Sequence, residues 1–352
     1  MIVDVPRIKS TIREAVAWGF HFSPIPHWRH RGKVVVLMYH RVLARQEVAL
    51  HSVQPGMYVL DSVFAQQMAF LKKEFTILSL QELLELWQSG HWNARARYCV
   101  VTFDDGWLDN YRHAYPVLKE AGVPATIFLP TDYVGSNQWF WPDQLALVFK
   151  VLAGRKVTPE AVTQLREVFV DYLGAHGGPC IEAIERGDHV TDHVIEQCKQ
   201  LPIERIQELV AALATRLGVS LPEERVIVNW DEVREMSENG ISFGSHSCSH
   251  RILTTIASDE VSAELARSMQ VLLEQGVNYV PVFCYPNGNS DADIQRQVQS
   301  CGYAAACSVN LGVEGPVPVN RYAIRRVGIH NDITHTIPLF SWRVLGPLLG
   351  SV

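Results

Sequence analysis

Residues 100–106, Val-Val-Thr-Phe-Asp-Asp-Gly, join an apolar run to two adjacent carboxylates and a glycine. An apolar run of this length predicts a strand that is buried on both faces of a sheet. Ending such a strand on Asp104 and Asp105 is costly unless a positive charge lies beside them. The same Asp-Asp-Gly sequence is also compatible with a simple turn. Its meaning therefore depends on what the rest of the chain brings to this strand end.

Short apolar and β-branched runs recur along the chain, and helical patterns lie between them. Two of these helical patterns end at Gly122 and Gly276, which are typical helix stops. A repeated order of strand, helix and terminating glycine predicts βα units that form a parallel sheet. The predicted strands cover residues 34–39, 98–103, 125–129, 241–244, 280–285, 303–307 and 322–329, with a weaker candidate at 76–80.

One long segment, residues 140–230, interrupts this order because it has helical patterns and little strand character. Without it about 260 residues remain, close to the roughly 250 of a typical (β/α) barrel. We interpret the segment as a helical insertion in one βα connection of a barrel that covers residues 34–335. Such connections often border an active site, although the insertion could equally be a packing elaboration.

The two ends of the chain are predicted to lie outside the barrel. Residues 1–33 form an N-terminal helical extension, and residues 336–352 form an apolar tail whose only charge is Arg343. The tail is expected to pack on its own domain, with peripheral contact to a membrane as the alternative. No convincing signal peptide and no apolar run of membrane-spanning length is found, so we expect a cytoplasmic, possibly membrane-associated protein.

Composition excludes some classes of function. The 352 residues carry a formal net charge of −6 without a long basic run, which argues against a nucleic-acid partner. The seven cysteines are odd in number and include no Cys-x-x-Cys pair. This pattern indicates buried free thiols in a reducing compartment rather than a disulfide framework.

Two histidines follow another predicted strand, in the sequence Ser-His-Ser-Cys-Ser-His at residues 245–250. A spacing of four places His246 and His250 on one side of a helical turn, where both imidazoles can bind one metal ion. With Asp105 they make a three-ligand set that leaves positions open for a substrate and water. Both groups stand at carboxyl ends of strands, which form the working face of a (β/α) barrel.

A third polar sequence, Phe-Cys-Tyr-Pro-Asn-Gly at residues 283–288, also stands at a strand end. Tyr-Pro-x-Gly is a turn in its own right. Such a turn can also direct a backbone N–H at an oxyanion that develops during a reaction.

These motifs, in this order and spacing, resemble those of the polysaccharide deacetylase family, the NodB-homology domain. The resemblance extends from Val34 to about Ile329. It implies a distorted (β/α) barrel, for which we predict seven or eight strands and the helical insertion. The matching sequences are residues 38–42 (MYHRV), 102–106 (TFDDG), 124–129 (PATIFL), 139–141 (WFW), 245–250 (SHSCSH) and 283–288 (FCYPNG).

The resemblance also implies roles for individual residues. Asp104 is expected to be the general base, and the backbone N–H of Asn287 is expected at the oxyanion position. The divalent metal ion, usually zinc in this family, is expected on Asp105, His246 and His250.

The chain departs from the commonest form of the family at two positions. Cys284 stands where many members have an arginine that orients the base, and Arg325 or, as we predict, Arg326 would replace it. The usual Leu-x-His sequence is not plain, and His330 is the nearest candidate for the general acid. The two arginines could instead be surface residues of the last strand, and His330 could be an exposed loop histidine.

Three further side chains are candidates for contact with a sugar. His40 ends the first predicted strand and would line the same mouth, or would serve as a structural histidine. Trp139 opens the insertion and could stack on a sugar ring or fix the insertion to the barrel. Tyr285, in the third motif, is the other predicted substrate-binding residue.

The sequence therefore predicts a metal-dependent hydrolase that removes N-acetyl groups from an amino sugar and releases acetate. The expected substrate is a carbohydrate, either a polysaccharide or a glycan precursor such as a lipid-linked saccharide. An O-acetyl esterase or a non-sugar amidase would use the same groups, and a non-catalytic glycan-binding protein is a further alternative.

Overall fold

The computed structural model describes residues 5–51, 53–54, 56–153, 158–174, 177–185 and 191–347. Seven parallel strands close into a barrel in the order β1-β10-β9-β8-β7-β6-β5, and β5 pairs with β1 to complete the circle. The short β4 adds to β5, while β2 and β3 form a separate parallel pair. The strands are β1 (Lys33–Tyr39), β2 (Arg41–Leu43), β3 (Tyr58–Leu60), β4 (Thr76–Ile77), β5 (Arg97–Phe103), β6 (Ala125–Leu129), β7 (Ile241–Ser245), β8 (Tyr279–Cys284), β9 (Ala305–Leu311) and β10 (Ile324–Gly328).

The predicted distorted (β/α) barrel with a helical insertion is confirmed. The helices of the described residues surround the barrel and supply the insertion. They are α1 (Val5–His21), α2 (Arg45–His51), α3 (Asp61–Glu74), α4 (Leu80–Ser89), α5 (Tyr115–Ala121), α6 (Trp141–Ala153), α7 (Pro159–Leu173), α8 (Gly177–Glu185), α9 (Thr191–Cys198), α10 (Ile203–Leu217), α11 (Trp230–Glu238), α12 (Ser258–Glu274), α13 (Ala292–Ser300), α14 (Asn331–Thr334) and α15 (Ile337–Leu345).

Alternation along the barrel strands divides the core into two layers. On β5, Val101 and Phe103 pack in a cluster with side chains of the surrounding helices. Their neighbour Val100 belongs to a second cluster, to which six of the seven barrel strands contribute side chains. That second cluster therefore fills the barrel interior, and residues in register with Val100, such as Thr102 and Asp104, point toward it.

The connection between β6 and β7 holds helices α6 to α10, which have a hydrophobic core of their own. Leu145, Phe169, Val194, Leu209 and Leu213 are buried in this cluster, apart from the barrel core. The helices form a lobe because each buries its apolar stripe against its neighbours. Residue Ile227 then pairs with Trp107 in an isolated bridge, which returns the chain to the barrel beside the end of β5.

Two local expectations differ from the structure. The weak strand predicted at residues 76–80 contains only the two residues of β4, because Ser79 caps α4 through a reciprocal pair of hydrogen bonds with Glu82. The β2–β3 pair was not predicted, since strands of three residues leave too short a pattern to detect. All seven cysteines are unpaired thiols.

The apolar tail packs on the domain. In α15 the side chains of Leu339, Phe340 and Val344 are buried, and the helix packs against α1. Arg29 donates hydrogen bonds to the carbonyl oxygens of Leu345 and Gly346. The alternative prediction of membrane contact through this tail is therefore not supported for residues 336–347, and residues 348–352 lie outside the described part of the chain. Among the described residues, no helix is both long and apolar enough to cross a bilayer.

The docking of α15 can be tested through Phe340, which is fully buried and packs edge-on against Phe70 with ring centroids 5.6 Å apart. We expect Phe340→Ala to lower the free energy of unfolding by about 3–5 kcal/mol, because it leaves a cavity in the core. Chemical unfolding of the purified protein measures this loss. Val317→Ala is the control, since Val317 is 77% exposed and its truncation should change stability by no more than about 0.5 kcal/mol. Equal stabilities for the two variants would contradict the packing described for α15.

Candidate active site

Polar side chains from two barrel strands meet at the carboxyl end of the barrel. Asp105 follows β5, and His246 and His250 follow β7. Asp105 Oδ1 lies 3.3 Å from His246 Nε2 and 3.2 Å from His250 Nε2. Asp105 and His246 are buried, and His250 is partly exposed. The structure therefore brings together the three residues predicted to bind a metal ion.

The backbone at this cluster is unusual. Asp105 has φ of 74° and His250 has φ of 56°, in the left-handed region that side chains with a Cβ rarely occupy. The two histidines lie on an irregular loop and not on the expected helical turn. The carboxylate of Glu264 in α12 causes this difference, because it accepts hydrogen bonds from the backbone N–H groups of Cys248 and Ser249 at 2.7 and 2.9 Å. This external carboxylate fixes the loop in a form that the spacing of four alone did not predict.

The three side chains fit a divalent metal ion. Two ligands about 2.1 Å from a tetrahedral ion lie roughly 3.4 Å apart, close to the separations seen between Asp105 and each histidine. His246 Nδ1 lies 2.8 Å from the carbonyl oxygen of Cys284. That carbonyl can only accept, so Nδ1 carries the proton and Nε2 presents its lone pair to the cluster. Two imidazole nitrogens with one carboxylate oxygen are a donor set that zinc and similar ions accept.

A second layer of side chains supports Asp105. Trp107 Nε1 donates a hydrogen bond to Asp105 Oδ2 at 3.0 Å, on the oxygen that faces away from the histidines. The guanidinium of Arg41 lies over the Trp107 ring, 4.2 Å from its centroid, and Arg41 Nε bonds Asp109 Oδ2 at 2.8 Å. Sequence reasoning missed these residues, although Trp107 and Asp109 stand directly after the Asp-Asp-Gly sequence.

The lobe also contributes a carboxyl group to this second layer. Asp143, at the start of α6, lies near enough to Asp105 and Arg41 for their charges to affect it. Burial raises the pKa of Asp143 to about 7, with Arg41 opposing the rise and Asp105 adding to it. The helical insertion therefore borders the site through the first turn of α6.

Asp104 forms a buried, bidentate ion pair with Arg326. The two carboxylate oxygens lie 2.7 Å from Nη1 and Nη2 of the guanidinium. Burial alone would raise the pKa of Asp104, but the charge and hydrogen bonds of Arg326 hold it below the usual value. Asp104 is therefore ionised at neutral pH and held in one orientation, as a general base requires.

Of the two arginines considered from the sequence, Arg326 is the one that reaches Asp104. Arg325, its neighbour on β10, points the other way and binds the buried carboxylate of Glu314 at 2.9 Å. Cys284, at the position of the missing arginine, places Sγ 3.2 Å from Arg326 Nη2. The small thiol leaves room for a guanidinium that enters from β10.

Two histidines lie on the opposite side of the mouth. His40 Nε2 is 3.9 Å from Asp104 Oδ2, which places this half-buried residue at the site. His330 follows β10, the neighbour of β1, and its Nδ1 is 3.3 Å from Asp332 Oδ2. Burial lowers the pKa of His330, while the Asp332 carboxylate favours its protonated form.

The predicted oxyanion residue lies on a tight turn. Asn287 has φ of 56° and an exposed side chain, and the N–H of Gly288 closes the turn by donating to the carbonyl of Tyr285 at 2.8 Å. This turn follows β8 at the carboxyl end of the barrel, and the role of the Asn287 N–H at the oxyanion stays a prediction.

Tyr285 and Trp139 do not have the positions of substrate-binding residues. Tyr285 is buried, and its hydroxyl donates to the carbonyl of Tyr322 at 2.9 Å. Trp139 is also buried, with Nε1 bonded to the carbonyl of Glu224 at 2.9 Å. Both side chains pack inside the protein, which does not support their predicted contact with a sugar. For Trp139 the packing fits the alternative that it fixes the insertion to the barrel.

Both the sequence and the fold of this chain are similar to those of known proteins. The sequence model of the polysaccharide deacetylase family matches residues 92–177 and 188–306, together more than half of the chain. The chain belongs to the polysaccharide deacetylase family. The resemblance inferred from the motifs is thereby confirmed, and with it the classification among hydrolases.

Curated relatives match shorter stretches. The poly-beta-1,6-N-acetyl-D-glucosamine N-deacetylase of Staphylococcus epidermidis is 34% identical over 190 residues, which are 53% of this chain and 60% of that protein. The putative polysaccharide deacetylase YxkH of Bacillus subtilis is 38% identical over 80 residues, 22% of this chain and 25% of that protein. The alignments thus span less than two thirds of either relative.

Solved structures share the fold over most of the chain. The deacetylase PplD of Streptococcus pyogenes, in complex with acetate, has a TM-score of 0.56 at 18% identity and covers 90% of this chain and 99% of its own. IcaB from Ammonifex degensii has a TM-score of 0.53 at 17% identity and covers 88% of this chain and 97% of its own. At identities this low, the likeness shows a shared fold only.

The Asp104–Arg326 pair should be detectable by a double-mutant cycle of stability. Arg326→Met leaves the buried Asp104 carboxylate without its partner, so we expect the free energy of unfolding at pH 7 to fall by about 3–5 kcal/mol. Asp104→Asn combined with Arg326→Met should lose less than the sum of the single changes, because the unpaired charge is gone. Purely additive losses would contradict the coupling.

The same cycle has a defined pH dependence. Because the pKa of Asp104 is lowered in the folded protein, its stabilisation is present above the unfolded value of about 4 and is lost as the pH falls through the folded value. The difference in stability between the wild type and the Arg326→Met variant should shrink over that range.

Proposed function

We propose that this protein is a divalent-metal-dependent N-deacetylase that hydrolyses the acetamide group of an amino sugar in a polysaccharide or glycan precursor. The observation that carries the proposal is the position of Asp104. Its ionised carboxylate is fixed by Arg326 directly beside the cluster of Asp105, His246 and His250. A positioned base next to a three-ligand site is what hydrolysis of an unactivated amide needs.

Asp104 and Arg326 divide the work of the base. Asp104 takes a proton from the water molecule that attacks the acetamide carbonyl. Arg326 holds the carboxylate in place and keeps it ionised between turnovers. A divalent ion on Asp105, His246 and His250 would make that water molecule more acidic and would polarise the carbonyl. We propose zinc as the ion, because imidazole and carboxylate ligands at this spacing suit it.

The remaining steps need a donor for the oxyanion and an acid for the leaving amine. We assign the backbone N–H of Asn287 to the tetrahedral oxyanion, since its turn follows β8 at the same end of the barrel. His330 is assigned as the general acid that protonates the departing amine. Its Asp332 partner opposes the effect of burial, which lowers the pKa of His330, and so helps the ring to hold the proton that it would give up. The products are acetate and a free amino sugar.

We propose N-acetylglucosamine units as the substrate, in a polymer or an oligosaccharide precursor. Support comes from the relatives that are named poly-beta-1,6-N-acetyl-D-glucosamine N-deacetylases. We also propose that these units belong to a cytoplasmic or membrane-associated precursor and not to a finished wall polymer.

Acetate release from oligomers of N-acetylglucosamine tests the reaction. We expect Asp104→Asn to lower kcat/KM by about 10²–10⁴-fold, because the amide cannot take the proton of the attacking water. Asp259→Asn is the matched control, since Asp259 is an exposed residue of α12 and is not one of the residues of the site. Cleavage of O-acetyl esters alone would favour the esterase alternative, and full activity of the Asp104→Asn variant would exclude the proposed base.

Metal content tests the ligand set separately from activity. We expect about one divalent ion per chain in the wild type and loss of that ion in His250→Ala. Trp107→Phe should retain the ion but bind it about 10–100-fold more weakly, because Asp105 loses the hydrogen bond that orients it. His335→Ala is the control, as this histidine of the α14–α15 turn is not part of the cluster. A wild-type protein that takes up no divalent ion would contradict the metal site.

A further inference from the structure

Helix α1 presents an apolar face to the outside of the protein. Between residues 11 and 22, the exposed positions carry no charge, and the charged residues Arg13 and Glu14 are half-buried. Arg13 Nη2 instead donates to the carbonyl of Asp332 at 2.9 Å. This is the reverse of an ordinary surface helix, whose charged side faces water. The exposed residues are Thr11, Ile12, Ala15, Val16, Trp18, Gly19 and Phe22.

The apolar face continues into the segment that follows the helix. Trp18 is 52% exposed, Phe22 is 72% exposed and Trp28 is 69% exposed. The rings of Trp18 and Phe22 lie 5.3 Å apart, so they form one surface. Single exposed apolar residues are common, but a group of six on one helix and the segment directly after it is typical of an interaction site. The α1 patch is defined as Ile12, Val16, Trp18, Phe22, Ile25 and Trp28.

The surroundings of the α1 patch are basic, although the chain as a whole is acidic. Residues 1–33 hold six arginines and lysines against Asp4 and Glu14, a net charge of +4 in a chain of net charge −6. Arg31 and Lys33 are exposed, and the Arg31 guanidinium lies 4.7 Å from the centroid of the Trp28 ring. An apolar face with tryptophans at its margin and cations beside it is the composition of helices that lie in a membrane interface.

We propose that the α1 patch binds the surface of an anionic lipid bilayer, with α1 in the plane of the headgroups. The apolar side chains would enter the boundary between headgroups and acyl chains, and Arg31 and Lys33 would contact lipid phosphates. A second copy of the chain is the less favourable occupant, because a twofold contact through this patch would bring two basic segments together.

Docking through α1 would also orient the barrel. Arg13 of α1 bonds the backbone of Asp332, and the carboxylate of Asp332 lies beside His330 at the barrel mouth. The part of α1 around Arg13 is therefore close to His330. A bilayer bound there would bring the mouth close to saccharides that are attached to membrane lipids.

Sedimentation with vesicles tests this inference independently of the reaction. Vesicles of phosphatidylglycerol and phosphatidylcholine should carry down the wild-type protein, and vesicles of phosphatidylcholine alone should bind it at least tenfold more weakly. Trp18→Ser combined with Phe22→Ser should lower binding to the anionic vesicles by about tenfold or more. Arg31→Glu combined with Lys33→Glu should weaken binding to the same vesicles and reduce its dependence on salt.

A matched control keeps the test specific. Val317→Ser combined with Val319→Ser removes two side chains that are 77% and 75% exposed but lie outside the patch, and its binding should equal that of the wild type. An unchanged circular dichroism spectrum and melting temperature establish that the patch variant is folded. Its unchanged acetate release from a soluble oligosaccharide would separate loss of docking from loss of catalysis.

Two results would overturn the proposal. One is a wild-type protein that does not sediment with anionic vesicles. The other is a dimer, seen by light scattering without lipid, that Trp18→Ser combined with Phe22→Ser dissociates, because the patch would then be covered by a second copy.

Discussion

The buried ion pair between Asp104 and Arg326 is the constraint on which the arrangement of this barrel mouth depends. Asp104 ends β5 and Arg326 lies on β10, with β1 between them in the barrel, so the pair crosses the interior. Neither charge can be buried alone without a cost of several kcal/mol. The guanidinium also bonds the carbonyl of Ser308 and the hydroxyl of Thr102, which leaves few of its donors without an acceptor. The ion pair and its hydrogen bonds therefore link β5, β9 and β10 at the level of the site.

Two adjacent carboxylates can serve different functions because the chain turns between them. Asp104 keeps the strand direction and points into the barrel, whereas Asp105, with φ of 74°, turns toward the histidines that follow β7. Gly106 continues the turn, and a Cβ there would lie 2.5 Å from the side chain of Leu129. Each acid meets its own cationic or metal-binding partner, so their mutual repulsion is offset. The Asp-Asp-Gly sequence thus has a structural reason for each of its three residues.

Much of the fold and the main groups of the site were predictable from the sequence, because long apolar runs mark barrel strands and the polar residues stand where those runs end. The details of the site that the sequence did not decide depend on the directions in which side chains point. Arg325 and Arg326 are neighbours, and β10 changes register between Ile324 and Arg326, so simple alternation did not decide which arginine points inward. The form of the histidine loop depended on Glu264, which is distant in sequence from His246. The roles of Tyr285 and Trp139 stayed open because an aromatic residue beside a motif does not reveal whether its polar atom is satisfied inside the protein.

The helical lobe is inserted beside the same group of side chains. The lobe could fold around its own core at any βα connection, yet it is inserted after β6, next to the strand ends that carry Asp105 and His250. Phe140 packs against the His250 ring, with centroids 4.6 Å apart, and edge-on against Trp107 at 5.2 Å. These rings form an apolar cover on one side of the cluster. Every ion pair and hydrogen bond of the site becomes stronger in such surroundings. The start of the insertion therefore contributes apolar surroundings to the predicted ligands through Phe140, which belongs to the barrel core.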